Sequence, residues 1–113
     1  MYRICNIKEG MPNTDYAIFL LEKEIEYAKA EDVRVLVFIH GYGSSGYGGA
    51  IKQEVDKKLS LMQRQKKIVC YVRGDRWAES SDDVKEIYKY APELSINNQV
   101  ANINSGVTVV LVK

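Results

Sequence analysis

Ten consecutive residues, His40 to Gly49, carry the densest chemistry in the chain: His-Gly-Tyr-Gly-Ser-Ser-Gly-Tyr-Gly-Gly, five of them glycine. They follow an apolar, β-branched run, Val33–Ile39, and precede Ile51, Val55, Leu59 and Met62 at helical spacing. A turn between a buried strand and a helix gathers unpaired N–H groups and the positive end of a helix dipole at one point. Glycine lets a backbone approach an anion closely and adopt positive φ without a steric penalty. Ser44 and Ser45 add hydroxyl donors, and Tyr42 and Tyr47 offer rings on which a base could stack. Gly41, Tyr42, Gly43, Ser44, Ser45, Gly46, Tyr47 and Gly48 are therefore candidate phosphate-binding residues. The competing reading is a purely structural turn.

Three other signatures share these letters, and each fails on a particular residue. Gly41-x-Gly43-x-x-Gly46 matches the dinucleotide fingerprint, but that pattern should follow the first strand of a larger fold, and here it follows the second. Gly41 and Gly46 have P-loop spacing, yet Tyr47 stands where the phosphate-binding lysine is required. His-Gly-Tyr-Gly after a strand is also compatible with a hydrolase oxyanion loop. No G-x-S-x-G elbow is present, and the chain's single histidine is already in the loop, which leaves no base for a Ser-His-Asp triad.

His40 is a weak candidate catalytic residue, because an imidazole at a strand end can act as general acid or base near neutral pH. The alternative is a ring that bonds the loop backbone or a phosphate. Lys52 follows the loop on the next helix, and Arg73 and Arg76 flank the end of a third strand. Strand ends converge at one edge of a parallel sheet, so these cations are candidate nucleic-acid contacts. Lys57, Lys58, Lys66 and Lys67 read as ordinary solvated lysines. Trp77 reads as a core residue rather than a stacking platform. Two cysteines and one histidine cannot complete a four-ligand zinc site unless carboxylates join them. Cys5 and Cys70 lie in apolar runs and are expected to be buried free thiols in a reducing compartment.

The elements that must position these groups are legible in the periodicity. Residues 2–7 alternate as a strand. Asn13 or Thr14 can cap a helix over 15–30, whose Ile18, Leu21, Ile25 and Ala28 form one apolar stripe. Residues 33–39 predict a strand buried on both faces. A second helix carries Ile51 to Met62, a strand spans 68–72, and a short helix spans 82–90 with Ser80 or Ser81 as cap. Residues 94–105 are polar and read as a loop, and 106–112 form a final strand. The predicted fold is α/β: a two-layer sandwich of β-α-β-α-β-β order, a short helix aside, around a mixed four-stranded sheet.

Composition sets the outer bounds. One hundred and thirteen residues fit one domain, 1–113, and 46% apolar with 27% charged residues is an ordinary globular balance. Apolar runs such as Val35–Ile39 are far too short to span a membrane, and the N-terminus lacks a signal-peptide pattern, so a cytoplasmic protein is expected. The net charge of +1 conceals an asymmetry: residues 1–32 sum to −3, residues 33–76 to +6 and residues 77–113 to −2. A local cationic patch in the middle third is therefore expected rather than a basic protein overall.

Val35-Leu36-Val37-Phe38-Ile39-His40-Gly41-Tyr42-Gly43-Ser44-Ser45-Gly46, with Ile51 and Val55 in the next helix, resembles the Smr (small MutS-related) domain. That family has a strand leading into an H-G-x-G-S-type loop, and it ends in a segment of the form G-x-T-x-V-x-L, here Gly106-Val107-Thr108-Val109-Val110-Leu111-Val112. The resemblance covers nearly the whole chain. It implies a fold like the C-terminal domain of a bacterial translation initiation factor, binding of DNA or RNA, and nicking endonuclease activity in some members. Smr domains usually open with L-D-x-H-G on the first strand, whose Asp and His are linked to cleavage. The matching segment here is Cys5-Asn6-Ile7-Lys8-Glu9-Gly10, without that pair. The expectation is a stand-alone nucleic-acid-binding domain with weak or lost nicking, needing no cofactor, with magnesium or manganese relevant only if it cleaves. The rivals are an active endonuclease using His40 with Glu9 or Asp75, and a protein-interaction module with a decayed site.

Overall fold

The computed structural model describes residues 2–8, 13–41, 46–77, 81–96 and 106–113, without the side chains of 46–50, 81, 95 and 96. Four strands, β1 (Tyr2–Asn6), β2 (Val35–Ile39), β3 (Cys70–Arg73) and β4 (Val107–Leu111), form one sheet in the order β1-β2-β4-β3. β1 runs parallel to β2, with Tyr2 opposite Val35 and Asn6 opposite Ile39. β4 is antiparallel to both neighbours, pairing Val107 with Ile39 and Thr108 with Arg73. β1, β2 and β3 thus point the same way, and their carboxyl ends meet the start of β4 at a single sheet edge. That edge positions everything discussed below.

Three helices, α1 (Thr14–Ala30), α2 (Gly46–Arg64) and α3 (Ser81–Tyr90), cover the sheet. Because side chains alternate along a strand, β2 and β4 each feed two cores. Leu36, Phe38 and Val110 pack with Ala17, Leu21, Ile25 and Ala28 of α1 and with Ile51, Val55, Leu59 and Met62 of α2. Val35, Val37, Val107, Val109 and Leu111 pack on the other side with Trp77, Val84, Ile87, Ala91 and Leu94. The mixed four-stranded sheet and the element order agree with the expectation from sequence. The second sheet face is not open, as a two-layer sandwich would leave it. It is covered by α3 and two 3-10 turns, Gly74–Arg76 and Pro92–Ile96. Trp77 belongs to this layer, meeting Tyr88 edge-to-face at 5.7 Å and donating its Nε1–H to Tyr88 Oη at 3.2 Å.

Local chemistry sets the boundaries. Asn13 caps α1, its side chain accepting from the Tyr16 N–H at 2.8 Å. α1 and α2 both close with a non-glycine residue at positive φ, Asp32 (58°) and Lys66 (61°). In each case the following N–H reaches back five residues, Val33 to Ala28 at 2.8 Å and Lys67 to Met62 at 2.9 Å. Two segments differ from the sequence reading. Gly46, Tyr47, Gly48 and Gly49 begin α2 rather than continuing the loop. Their glycine density argues against a helix on propensity, but the chain downstream supplies the apolar face that propagates it. Residues 94–96 of the expected polar loop instead belong to a 3-10 turn, Pro92–Ile96, that buries Leu94, and residues 97–105 lie outside the described residues. Cys5 and Cys70 are buried and free, and burial pushes both thiols up to about 12.

Candidate functional site

His40 sits immediately past β2, and its ring is buried to 1% exposure. Its Nδ1 lies 3.0 Å from the Gly41 carbonyl oxygen, and its Nε2 lies 2.8 Å from Thr108 Oγ1. A carbonyl only accepts, so Nδ1 carries the proton; in the neutral ring Nε2 then accepts from the Thr108 hydroxyl. Burial holds the His40 pKa below its ordinary 6.5, a lowering that the Gly41 carbonyl bond opposes and the Lys52 charge reinforces. Both nitrogens are therefore occupied and neither faces solvent. The side chain singled out from sequence as a weak catalytic candidate acts here as a clamp between the β2 exit and β4.

The clamp has a backbone half. The N–H groups of His40 and Gly41 both donate to the Gly106 carbonyl, at 2.9 and 3.1 Å. Gly41 then turns with φ of +86°, and a Cβ built on it would stand 3.3 Å from Lys8 Cδ. The backbone conformation favours glycine at this position, whereas the flexible Lys8 side chain can give the few tenths of an ångström that a Cβ needs. Lys8 leaves β1 through a small turn in which its N–H donates to Asn6 Oδ1 at 3.0 Å. Of the remaining loop candidates, Tyr42, Gly43, Ser44 and Ser45 lie outside the described residues. Gly46, Tyr47 and Gly48 form the first turn of α2, so the amino end of a 19-residue helix meets the same sheet edge.

Lys52, Arg73 and Arg76 come together there as the parallel-strand argument expects. Asp75 is the common partner of Lys52 and Arg73. It accepts from Arg73 Nε and Nη2, both at 3.1 Å, and lies 3.7 Å from Lys52 Nζ. The Arg73 bonds hold the Asp75 carboxyl below its usual range, helped by Lys52 and Arg76, and Asp75 in turn raises Arg73. Arg76 follows in the 3-10 turn with an exposed side chain. Asp75 thus fixes two long cationic side chains beside the exit of β2. Thr108 and Gly106 did not stand out in the sequence as site residues. The signal for them was the antiparallel register that sets β4 beside the β2 exit, which no local pattern carries.

Among the described residues no group of three or more His, Cys, Asp or Glu side chains could hold a metal ion. None of the described helices is long and apolar enough to cross a membrane.

No protein-family model matches the sequence, and no curated protein does. Among solved structures, the crystal structure of the Smr domain of Thermus thermophilus MutS2 superposes over 100% of this chain and 99% of that one, with a TM-score of 0.58 and 19% sequence identity. At that identity the likeness is one of fold. With the element order and the mixed sheet in agreement, the chain is an Smr-like α/β domain.

Proposed function

We propose that this domain binds nucleic acid through the sheet edge formed by the β2 exit, the amino end of α2 and the β3 end, and that its nicking activity is weak or lost. The observation that carries the reading is the convergence of Lys52, Arg73 and Arg76 beside the start of α2. A helix amino end with nearby guanidinium and ammonium groups suits phosphate oxygens by geometry and by charge. The Asp75 bonds hold Arg73 and Lys52 in place before a ligand arrives, which reduces the ordering cost of binding. The Gly41–Gly48 residues are assigned the closest backbone contacts. DNA and RNA share the phosphate chemistry that this edge addresses.

Weak cleavage follows from what the edge lacks. His40 has no free ring nitrogen, and in sequence Asn6, Ile7, Lys8 and Glu9 stand where the family resemblance places an Asp-His pair. A general acid or base contributes only about 10² to 10⁴-fold, and among the described residues the Asp75 carboxylate at this edge is engaged by Arg73 and Lys52. The rival reading, a protein-interaction module, is favoured by exposed rings along α1, Tyr16, Phe19 and Tyr27. Fluorescence anisotropy with single strands, duplexes and branched substrates separates the two. Binding that falls steeply with salt is the expected result; no binding to any of them at low salt ends the nucleic-acid reading.

A further inference from the structure

Among the described residues β3 pairs only with β4 and lies at the sheet edge. Two surface grooves meet near Gln63 of α2, one against β3 and one below its amino end, reaching toward the ends of α1 and β4. The upper one, lined by Tyr71, Arg73 and Arg76 with Asp56 and Gln63, begins at the cationic sheet edge. The lower one is lined by Gln63, Lys66 and Lys67, with Lys29 and Lys113 at its margin and Ile68, Val69 and Val112 as its apolar floor. Gln63 lines both, so the two grooves adjoin at that side chain. Among the described residues, Asp56 is the only carboxylate side chain lining either.

The lysines at the lower end are not already neutralised. Lys113 pairs with Asp32 at 3.3 Å, whereas Lys66 and Lys67 enter no ion pair among the described residues. Lys66 also holds a left-handed backbone, φ 61°, at a helix-closing position where glycine is the ordinary choice. The turn is pinned by Lys66 N–H to Gln63 O at 3.0 Å and Lys67 N–H to Met62 O at 2.9 Å, so both lysines project from a fixed point. Backbone strain of this kind is commonly retained where the side chain has a task.

We propose that this groove is a track for a nucleic-acid strand, which enters at Arg73 and Arg76 and leaves over Lys66 and Lys67. The proposal rests on the reading of the sheet edge as a phosphate site and extends it by a second, distant set of contacts. β3 itself, Cys70 to Arg73, covers about 10 Å in three extended steps of about 3.3 Å, and the bend at 67–69 carries Lys66 and Lys67 beyond its lower end. An elongated line of cations suits a chain of phosphates better than a single small anion.

The test is a salt titration of oligothymidylate and oligouridylate binding, at about 4 and about 16 nucleotides, the span of site sizes for such grooves. Lys66→Gln with Lys67→Gln should weaken the long oligonucleotides several-fold and lower the salt slope by about 1.4, roughly 0.7 per lost contact on a single strand. The short ones should bind as to wild type, and Lys66→Arg with Lys67→Arg should restore the long ones. Lys85→Gln with Lys89→Gln on α3, of equal charge change, should leave both lengths unaffected. An unchanged slope in the Lys66/Lys67 variant, while Arg73→Gln and Arg76→Gln still lower it, overturns the track and spares the edge. Equal losses in the α3 variant show a diffuse charge effect and overturn the track. Displacement by polyglutamate at equal charge overturns nucleic acid as its occupant. Wild-type protein that binds neither length at low salt overturns both readings.

Discussion

Among the described residues, His40 and Thr108 are the buried polar residues, and each satisfies the other. Thr108→Val keeps the shape but leaves Nε2 without a donor. A loss of about 1–3 kcal/mol is expected in urea denaturation, the range for an orphaned buried group. The pH dependence has a definite sign. The unfolded ring takes its proton near pH 6.5, the folded ring only at lower pH. Between these values the unfolded state binds more protons, so stability falls as pH drops through that window. A urea midpoint that declines between about pH 7 and pH 5 in wild type, and is flatter in His40→Gln, is the expected result; equal curves would remove His40 as the cause. Gly41→Ala forces a left-handed alanine against Lys8. The conformation alone costs about 1–2 kcal/mol. Both stability and oligonucleotide affinity should fall, while Lys8, being flexible, can move aside.

At the scale of elements, the cationic edge is assembled from α2, β3 and the 3-10 turn that follows it. If Arg73 and Arg76 each meet one phosphate, Arg73→Gln and Arg76→Gln should each reduce the salt slope by about 0.7 to 0.9. A slope unchanged in both would show that these side chains serve only to hold Asp75. The helices were largely readable in advance. The apolar stripe of α1 and its cap at Asn13 match the observed Thr14–Ala30, and Asn13→Ala should cost about 0.5–2 kcal/mol in a thermal melt. The start of α2 was not readable. Glycine-rich residues 46–49 are poor helix formers, and their helix depends on Ile51, Val55 and Leu59 docking behind them.

For the whole molecule, the sheet covered on both faces makes β2 the centre of both cores, with Val35, Leu36, Val37 and Phe38 fully buried. Phe38→Ala should cost about 3–5 kcal/mol, enough to unfold a large share of a marginal domain, seen as loss of cooperative melting. On the proposed reading, function at this scale depends on where the strand ends gather rather than on any one catalytic group. Supercoiled plasmid and labelled RNA, with magnesium or manganese, should show little or no nicking by the purified protein. Robust cleavage lost in His40→Ala would promote the endonuclease reading instead.

Sequence by itself determined the elements, their order, the buried strand before the loop and the family likeness, because hydrophobic period, caps and glycine turns are local signals. It also placed Lys52, Arg73 and Arg76 at one edge, since parallel strands share a direction. Tertiary structure alone decided the rest. The antiparallel insertion of β4 between β2 and β3 sets Thr108 on the His40 ring and Gly106 under its backbone. That contact joins residues 68 positions apart, and no spacing rule encodes it. Folding also gathers Lys66 and Lys67 with Lys29 and Lys113 around one groove, where a charge count reads only solvated lysines. Strand pairing is a long-range choice made by packing energy, so its consequences for charge and burial appear only once the chain has folded.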